Sequence, residues 1–323
     1  ILWSRHFGYG QDFRKDEGNG KLRDIINNLM MRRNFMDLEK INKLIKIDKK
    51  ILQCQECSFH KDLKDKNLYY KPEALCYLPK MLEKADFKVI SIGLNPGWNK
   101  WNETIRSENE YQILYQMPIS SDKEYLDYVK IFNKALENDK GRGQYEIVLG
   151  KTLCSINKKI NIYNGVSEKE IIDNLYPRYL FRANLSFCNS KKLNERIFWN
   201  KAIKCNVLSE EIPNCLDKGF LKEIVDCLQP ELVIFFGNYY TLTPKNIVER
   251  LSGVASEEIK FNKETFTLYE KKNGKKIQAD VSIYYSRKII TKFIFLPHPR
   301  CPWKDNYREK AIKWACSELK NNQ

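Results

Sequence analysis

The chain has 323 residues and is 42% hydrophobic, enough to bury a sizeable core as one enlarged domain. Its 56 Lys and Arg against 41 Asp and Glu leave a formal charge of +15, which favours a polyanionic partner such as nucleic acid, although solubility alone also draws on such a charge. Ten cysteines without a secretory signal argue against a disulfide framework and for a reducing, cytoplasmic setting, and the lack of an apolar run of bilayer length argues against a helical membrane span.

Residues 1–35 mix Gly, Arg and Asp with little apolar periodicity, and we place no function in this extension. From Met36 to Leu52 the apolar residues Leu38, Ile41, Leu44, Ile45, Ile51 and Leu52 recur at helical spacing, with lysines opposite. Cys54-Gln55-Glu56-Cys57 follows, a knuckle whose two thiolates can grip a metal only with further ligands from elsewhere. Phe87 to Ile92 reads as a buried strand, broken abruptly by Gly93-Leu94-Asn95-Pro96-Gly97-Trp98. In open α/β sheets ligands gather outside the carboxyl ends of the strands, so Asn95 stands where a working side chain is expected; an ordinary turn is the alternative.

Residues 99–180 form a charged, aromatic-rich insertion that reads mostly helical, and Gly141-Arg142-Gly143 within it reads as a turn. Tyr179 to Cys188 carries the next strand, Phe220 to Leu228 a helix ending before Pro230, and Leu232 to Gly237 a buried strand of the parallel type. Around the turn signal Asn273-Gly274, residues 265–290 predict a hairpin. Lys292 to Leu296 is the last strand; it delivers Pro297-His298-Pro299-Arg300, and a closing helix presents Ala311, Ile312, Trp314, Ala315 and Leu319 inward. Strands separated by helices predict a three-layer α/β/α fold with a mostly parallel, four-stranded central sheet, plus the helical insertion and the hairpin, in a single domain over residues 36–323.

Gly93-Leu94-Asn95-Pro96-Gly97 after the first strand, paired with His298-Pro299-Arg300 after the last, resembles the two motifs of the uracil-DNA glycosylase superfamily. The resemblance implies a monomeric, DNA-binding enzyme that flips a nucleotide out of the stack and hydrolyses its glycosidic bond. Asn95 would orient the water, His298 would donate to the departing base, and Asn184 would read the Watson-Crick edge of that base. Gly93, Leu94 and Trp98 would line the base pocket. Arg300, Trp303 and Lys304 have the composition of a DNA-inserting loop, with burial in the core as the alternative for Trp303.

The superfamily's iron-sulphur branch, which includes the family-4 and family-5 enzymes, implies a 4Fe-4S cluster on four cysteines. Cys54 and Cys57 match its first pair, and Cys188, after Ala183-Asn184-Leu185-Ser186-Phe187, matches the third. For the fourth, Cys205 fits the gap and Cys215 fits the surroundings; Cys215 is our choice. Zinc on the same thiolates, or buried thiols without metal, are the alternatives, and Cys76, Cys154, Cys227, Cys301 and Cys316 are assigned to packing. The branch's Glu-Ala-Pro-Gly form of the first motif and its Gly-x-Pro-Phe segment are missing, so the excised base is uracil, another deaminated base or a bulky modified pyrimidine, as in a phage-restricting enzyme. A fold-keeping nucleic-acid-binding protein without chemistry is the rival class.

Overall fold

The structure, a computed structural model, describes residues 36–54, 79–93, 119, 121–138, 144–185, 214–237, 242–297 and 303–321. It is a mixed α/β fold around one six-stranded sheet of order β2-β1-β3-β6-β5-β4. The strands are β1 (Val89–Gly93), β2 (Leu180–Asn184), β3 (Leu232–Phe236), β4 (Lys260–Glu270), β5 (Lys276–Tyr285) and β6 (Lys292–Leu296). Strands β2, β1, β3 and β6 run parallel, while β4 and β5 pair antiparallel with each other, and β5 antiparallel with β6.

The expected four-stranded sheet is therefore corrected to six strands. The four parallel strands stand where the sequence puts them, but the hairpin does not stand apart. Ser282, Ile283 and Tyr284 of β5 pair with Phe295, Ile294 and Phe293, because the free edge of β6 would otherwise leave a row of backbone donors and acceptors unpaired. The first arm also begins earlier than expected, at Lys260 rather than residue 265, and the second runs from Lys276 to Tyr285.

Alternation along the strands divides the interior into two cores. Ile90 and Ile92 of β1, Phe181 and Ala183 of β2, Val233 and Phe235 of β3, and Phe293 and Phe295 of β6 face one side. Val89, Leu180, Leu232, Ile234, Phe236, Ile294 and Leu296 face the other. Two apolar faces require two covering layers.

On the first face lie α1 (Leu38–Leu52), the short α2 (Pro79–Leu82), then α6 (Phe220–Leu228) and α7 (Pro244–Ser252). Asp37 caps α1 by accepting from the Lys40 amide at 2.7 Å, and Ile41, Leu44, Ile47 and Ile51 form its buried stripe. Gly219, at a φ of 73°, opens α6, whose buried Phe220, Leu221, Ile224 and Val225 meet that stripe. Helix α3 (Asp122–Asn138) packs on α1, where the Tyr125 hydroxyl donates to buried Asp48 at 2.8 Å.

The second face is covered by α4 (Gln144–Ile160), α5 (Glu168–Asp173) and α8 (Asp305–Asn321). The first two come from the stretch expected as a helical insertion, and Leu149, Leu153 and Ile156 of α4 are core residues of this face. Helix α8 buries Ala311, Ile312, Ala315, Cys316 and Leu319. Among the described residues no helix is long and apolar enough to cross a membrane.

Candidate functional site at the carboxyl edge of the sheet

Register fixes where the parallel strands end. Gly93 pairs with Asn184, Ile92 with Phe235, and Phe236 with Leu296, so all four strands stop at one level on one edge. The strand order sets β2 on one side of β1 and β3 on the other, so the chain reverses its direction of winding at the β1/β3 boundary. Such a switch point leaves a crevice outside the carboxyl ends of its two strands, because the connections depart to opposite sides.

The backbone at this edge is pinned. The Leu185 amide donates to the Gly93 carbonyl at 2.9 Å, and the Gly237 amide donates to the Leu296 carbonyl at 3.1 Å. Gly237 has a φ of 117°, a conformation closed to ordinary side chains, and it turns the chain away directly beyond β3. It was not among the residues singled out from sequence, although a glycine ending a buried apolar strand is the signal that could have found it.

Of the expected base-pocket residues, Gly93 and Asn184 are brought side by side as register partners, both half-buried. Leu94, Asn95 and Trp98 follow Gly93 along the chain, and His298 and Arg300 follow Leu296 and Pro297; these five lie outside the described residues. At about 4.8 Å per strand spacing, the ends of β1 and β6 are about 10 Å apart.

Trp303 and Lys304 separate in role. Trp303 is 8% exposed and belongs to the core under α8, so it presents no ring to a duplex, and its indole N–H is buried without a hydrogen-bond partner. Lys304 is exposed, and its backbone amide donates to the Leu268 carbonyl of β4 at 3.1 Å.

Cys54, two residues beyond α1, is half-buried against the first core, and Cys215, in a helical turn at residues 214–217, is 5% exposed within that same core. Phe181, Ala183 and Leu185, which lead toward position 188, face this core too. Cys57, Cys188 and the alternative Cys205 lie outside the described residues, so two of the four proposed donors are described. Among the described residues no group of three or more His, Cys, Asp or Glu is gathered for a metal. Cys154, Cys227 and Cys316 are buried, and burial pushes the Cys154 thiol up to about 11 and that of Cys316 up to about 12. Cys76 and Cys301 lie outside the described residues.

Perturbed titrating groups gather at the opposite, amino edge. Burial raises Asp86 above the usual carboxylate range and lowers Lys292, while Lys88 bonds the Ile162 carbonyl at 2.9 Å and pairs with Glu231 at 3.8 Å. These contacts tie strand starts to the helical layer, and open sheets do not bind ligands on that side. A surface groove of about 180 Å³ between α4 and α5 contains none of the expected site residues.

No known protein family and no curated protein matches this sequence. The candidate site therefore rests on its own geometry and on the residues that follow each strand end.

Proposed function

We propose that the chain is a monofunctional DNA glycosylase whose reaction crevice lies at the β1/β3 switch point. One observation carries this reading. The strand that leads to Asn95, the strand that ends in Asn184 and the strand that leads to His298 all finish level on one edge, about 10 to 15 Å across. Residues 95, 184 and 298 are widely separated in sequence, and parallel pairing brings the strands that carry or precede them to one edge.

In this reading a flipped nucleotide enters the crevice, with Gly93, Leu94 and Trp98 around the base and Asn184 donating to and accepting from its Watson-Crick edge. Asn95 holds the water behind C1′. The water oxygen forms the new bond to C1′ as the C1′–N bond breaks; the bonding pair leaves with the base, and the proton lost by water is balanced by protonation of that base. His298 donates a hydrogen bond where negative charge develops on the base. Arg300 and Lys304 meet phosphates. Trp303 has no part in this account, since it is core.

A 4Fe-4S cluster on Cys54, Cys57, Cys188 and Cys215 would tie α1, the segment after β2 and the turn before α6 together beside the crevice, a structural clamp rather than a reactant. Zinc would serve the same purpose on these thiolates. Iron, sulphide and zinc analysis of the purified protein separates the two, and a protein free of all three excludes both.

The test of the activity is alkali-revealed strand cleavage on matched oligonucleotides carrying uracil, hypoxanthine, xanthine, a thymine mismatch or modified cytosines. Excision of one base, lost in Asn95→Ala, is the expected result. Salt-sensitive DNA binding without abasic product from any of them would favour the rival, a binding protein without chemistry.

A further inference from the structure

We propose that the β4–β5 hairpin is a phosphate-gripping arm that holds the backbone of duplex DNA alongside the carboxyl-edge crevice. The proposal rests on the nucleic-acid reading of that crevice, and it concerns binding rather than excision.

The register places the arm. Ile283 pairs with Ile294 and the two strands run antiparallel, so Val281 stands level with Leu296, the last residue of β6, and Glu264 of β4 pairs with Val281. Everything between Glu264 and Val281 therefore runs beyond the edge at which the parallel strands stop. From Val281 back to Lys276 is five residues, which at about 3.4 Å each carries the ribbon roughly 17 Å past that edge. It projects on the side of the crevice, next to the strand that leads to His298.

The turn at its end is Lys271-Lys272-Asn273-Gly274-Lys275-Lys276, with every residue exposed. Gly274 takes a φ of 77°, its amide donates to the Lys271 carbonyl at 2.9 Å, and the Lys271 amide donates to the Lys275 carbonyl at 2.9 Å. The turn is thus closed by its own backbone, and its side chains are left over. No ion pair among the described residues involves any of these four lysines, whereas Lys263, lower on the same ribbon, is paired with Asp280 at 2.7 Å.

The ribbon is held along most of its length, from Asn262 to Leu268, three residues short of the turn. Phe266 packs on Trp314 of α8 with ring centroids 5.6 Å apart, Asn262 donates to Glu318, and the Lys304 amide donates to Leu268. Protection of an exposed sheet edge, the ordinary use of edge lysines, calls for charge along β4 itself. Lys260 and Lys263 stand there, whereas Lys271, Lys272 and Lys275 stand in the turn beyond the paired strands and Lys276 opens β5 opposite Glu270. Lysine as a point charge on a flexible stem suits phosphates without regard to sequence, which makes this a positioning contact and not a base-reading one.

The test uses the full chain and a fluorescein-labelled 30-base-pair duplex with no damaged base, with affinity read by anisotropy across a salt series. The variant K271A/K272A/K275A/K276A keeps Asn273 and Gly274, and thermal melting checks that it folds like the wild type. A control variant replaces Lys159, Lys169, Lys313 and Lys320, which are also exposed but lie on α4, α5 and α8. Each phosphate contact adds about 0.9 to the slope of log K against log salt, so the turn variant should lose about 2 to 4 from that slope and bind at least about tenfold more weakly at 0.1 M salt, while the control stays near the wild type. An unchanged slope in the turn variant, or an equal loss in the control, overturns the arm and leaves the excision assay to decide the chemistry. Absence of salt-dependent binding by the wild type also overturns the arm; abasic product measured separately shows whether the glycosylase reading falls with it.

Discussion

Two glycine-to-alanine substitutions should move stability in opposite directions. Gly237 sits at a φ of 117° where the chain leaves β3, with its amide bonded to Leu296 of the neighbouring β6 at the carboxyl edge. A Cβ there forces either a strained backbone, costing about 1–3 kcal/mol, or a rotation that breaks the bond to β6. Gly150 lies inside α4 in ordinary helical backbone, and an added Cβ would meet Ile172 Cγ1 and Leu175 Cδ2, each at 3.7 Å, which is normal contact distance. Alanine there removes the entropic cost of a helical glycine, a gain of about 0.5–1 kcal/mol, and adds a methyl group to an existing groove. The assay is equilibrium unfolding in urea followed by circular dichroism. With a slope near 3 kcal/mol/M, Gly237→Ala lowers the midpoint by about 0.3–1 M and Gly150→Ala raises it by about 0.2–0.3 M. A Gly237→Ala midpoint equal to or above wild type would show that the edge does not need this conformation, and the pinned crevice would lose its argument.

Further outcomes follow from single contacts. Trp303→Phe should leave stability within about 1 kcal/mol, because the indole N–H it removes has no partner, while Trp303→Ala costs about 3–5 kcal/mol; an Ala variant that melts like the wild type would return Trp303 to the surface. Cys154 and Cys316 should resist iodoacetamide at pH 8 in the folded protein and react once it is denatured, as peptide mapping would read; native labelling of either contradicts their burial. Hydrogen bonds from Lys263 and Thr265 hold the Asp280 carboxyl below its usual range. A depressed carboxylate stabilises above its unfolded value of about 3.9 and loses that contribution as pH falls through the lower folded value. Asp280→Asn should therefore cost a little stability at pH 7 and progressively less as pH falls through the folded value, the exposed setting of the pair keeping the effect small.

How much of this was legible depends on the range of the interaction involved. Leu232 to Phe236 and Lys292 to Leu296 are readable because a strand buried on both faces has to be apolar throughout, and the observed strands match the sequence expectation closely. Helix α6 is marked at both ends, by Gly219 and by Pro230 two residues after Leu228. Asn273-Gly274 announces a turn because few other pairs accept its backbone, but nothing local says which sheet the ribbon joins. Pairing of Ser282 with Phe295 is a choice between distant segments, and the overhang of the arm is a property of that register alone. Trp303 was ambiguous for a similar reason. An aromatic beside basic residues has the same composition in a DNA-facing loop as at the start of a packed helix, and only the Leu268 carbonyl and the α8 core decide between them. The level ends of Gly93 and Asn184 were foreseeable as strand ends, whereas their adjacency required the strand order.

The central claim is that chemistry occurs at the carboxyl edge, and the abasic-product assay tests it most directly when run on wild type, Asn95→Ala, Asn184→Ala and Lys88→Ala under single-turnover conditions. Lys88 lies at the opposite edge, bonded to the Ile162 carbonyl at 2.9 Å, and serves as the control. The account predicts excision of one base by the wild type, a loss of about 100-fold or more in each asparagine variant, and a rate near wild type in Lys88→Ala. Absence of product from every base, or equal losses at both edges, would contradict it.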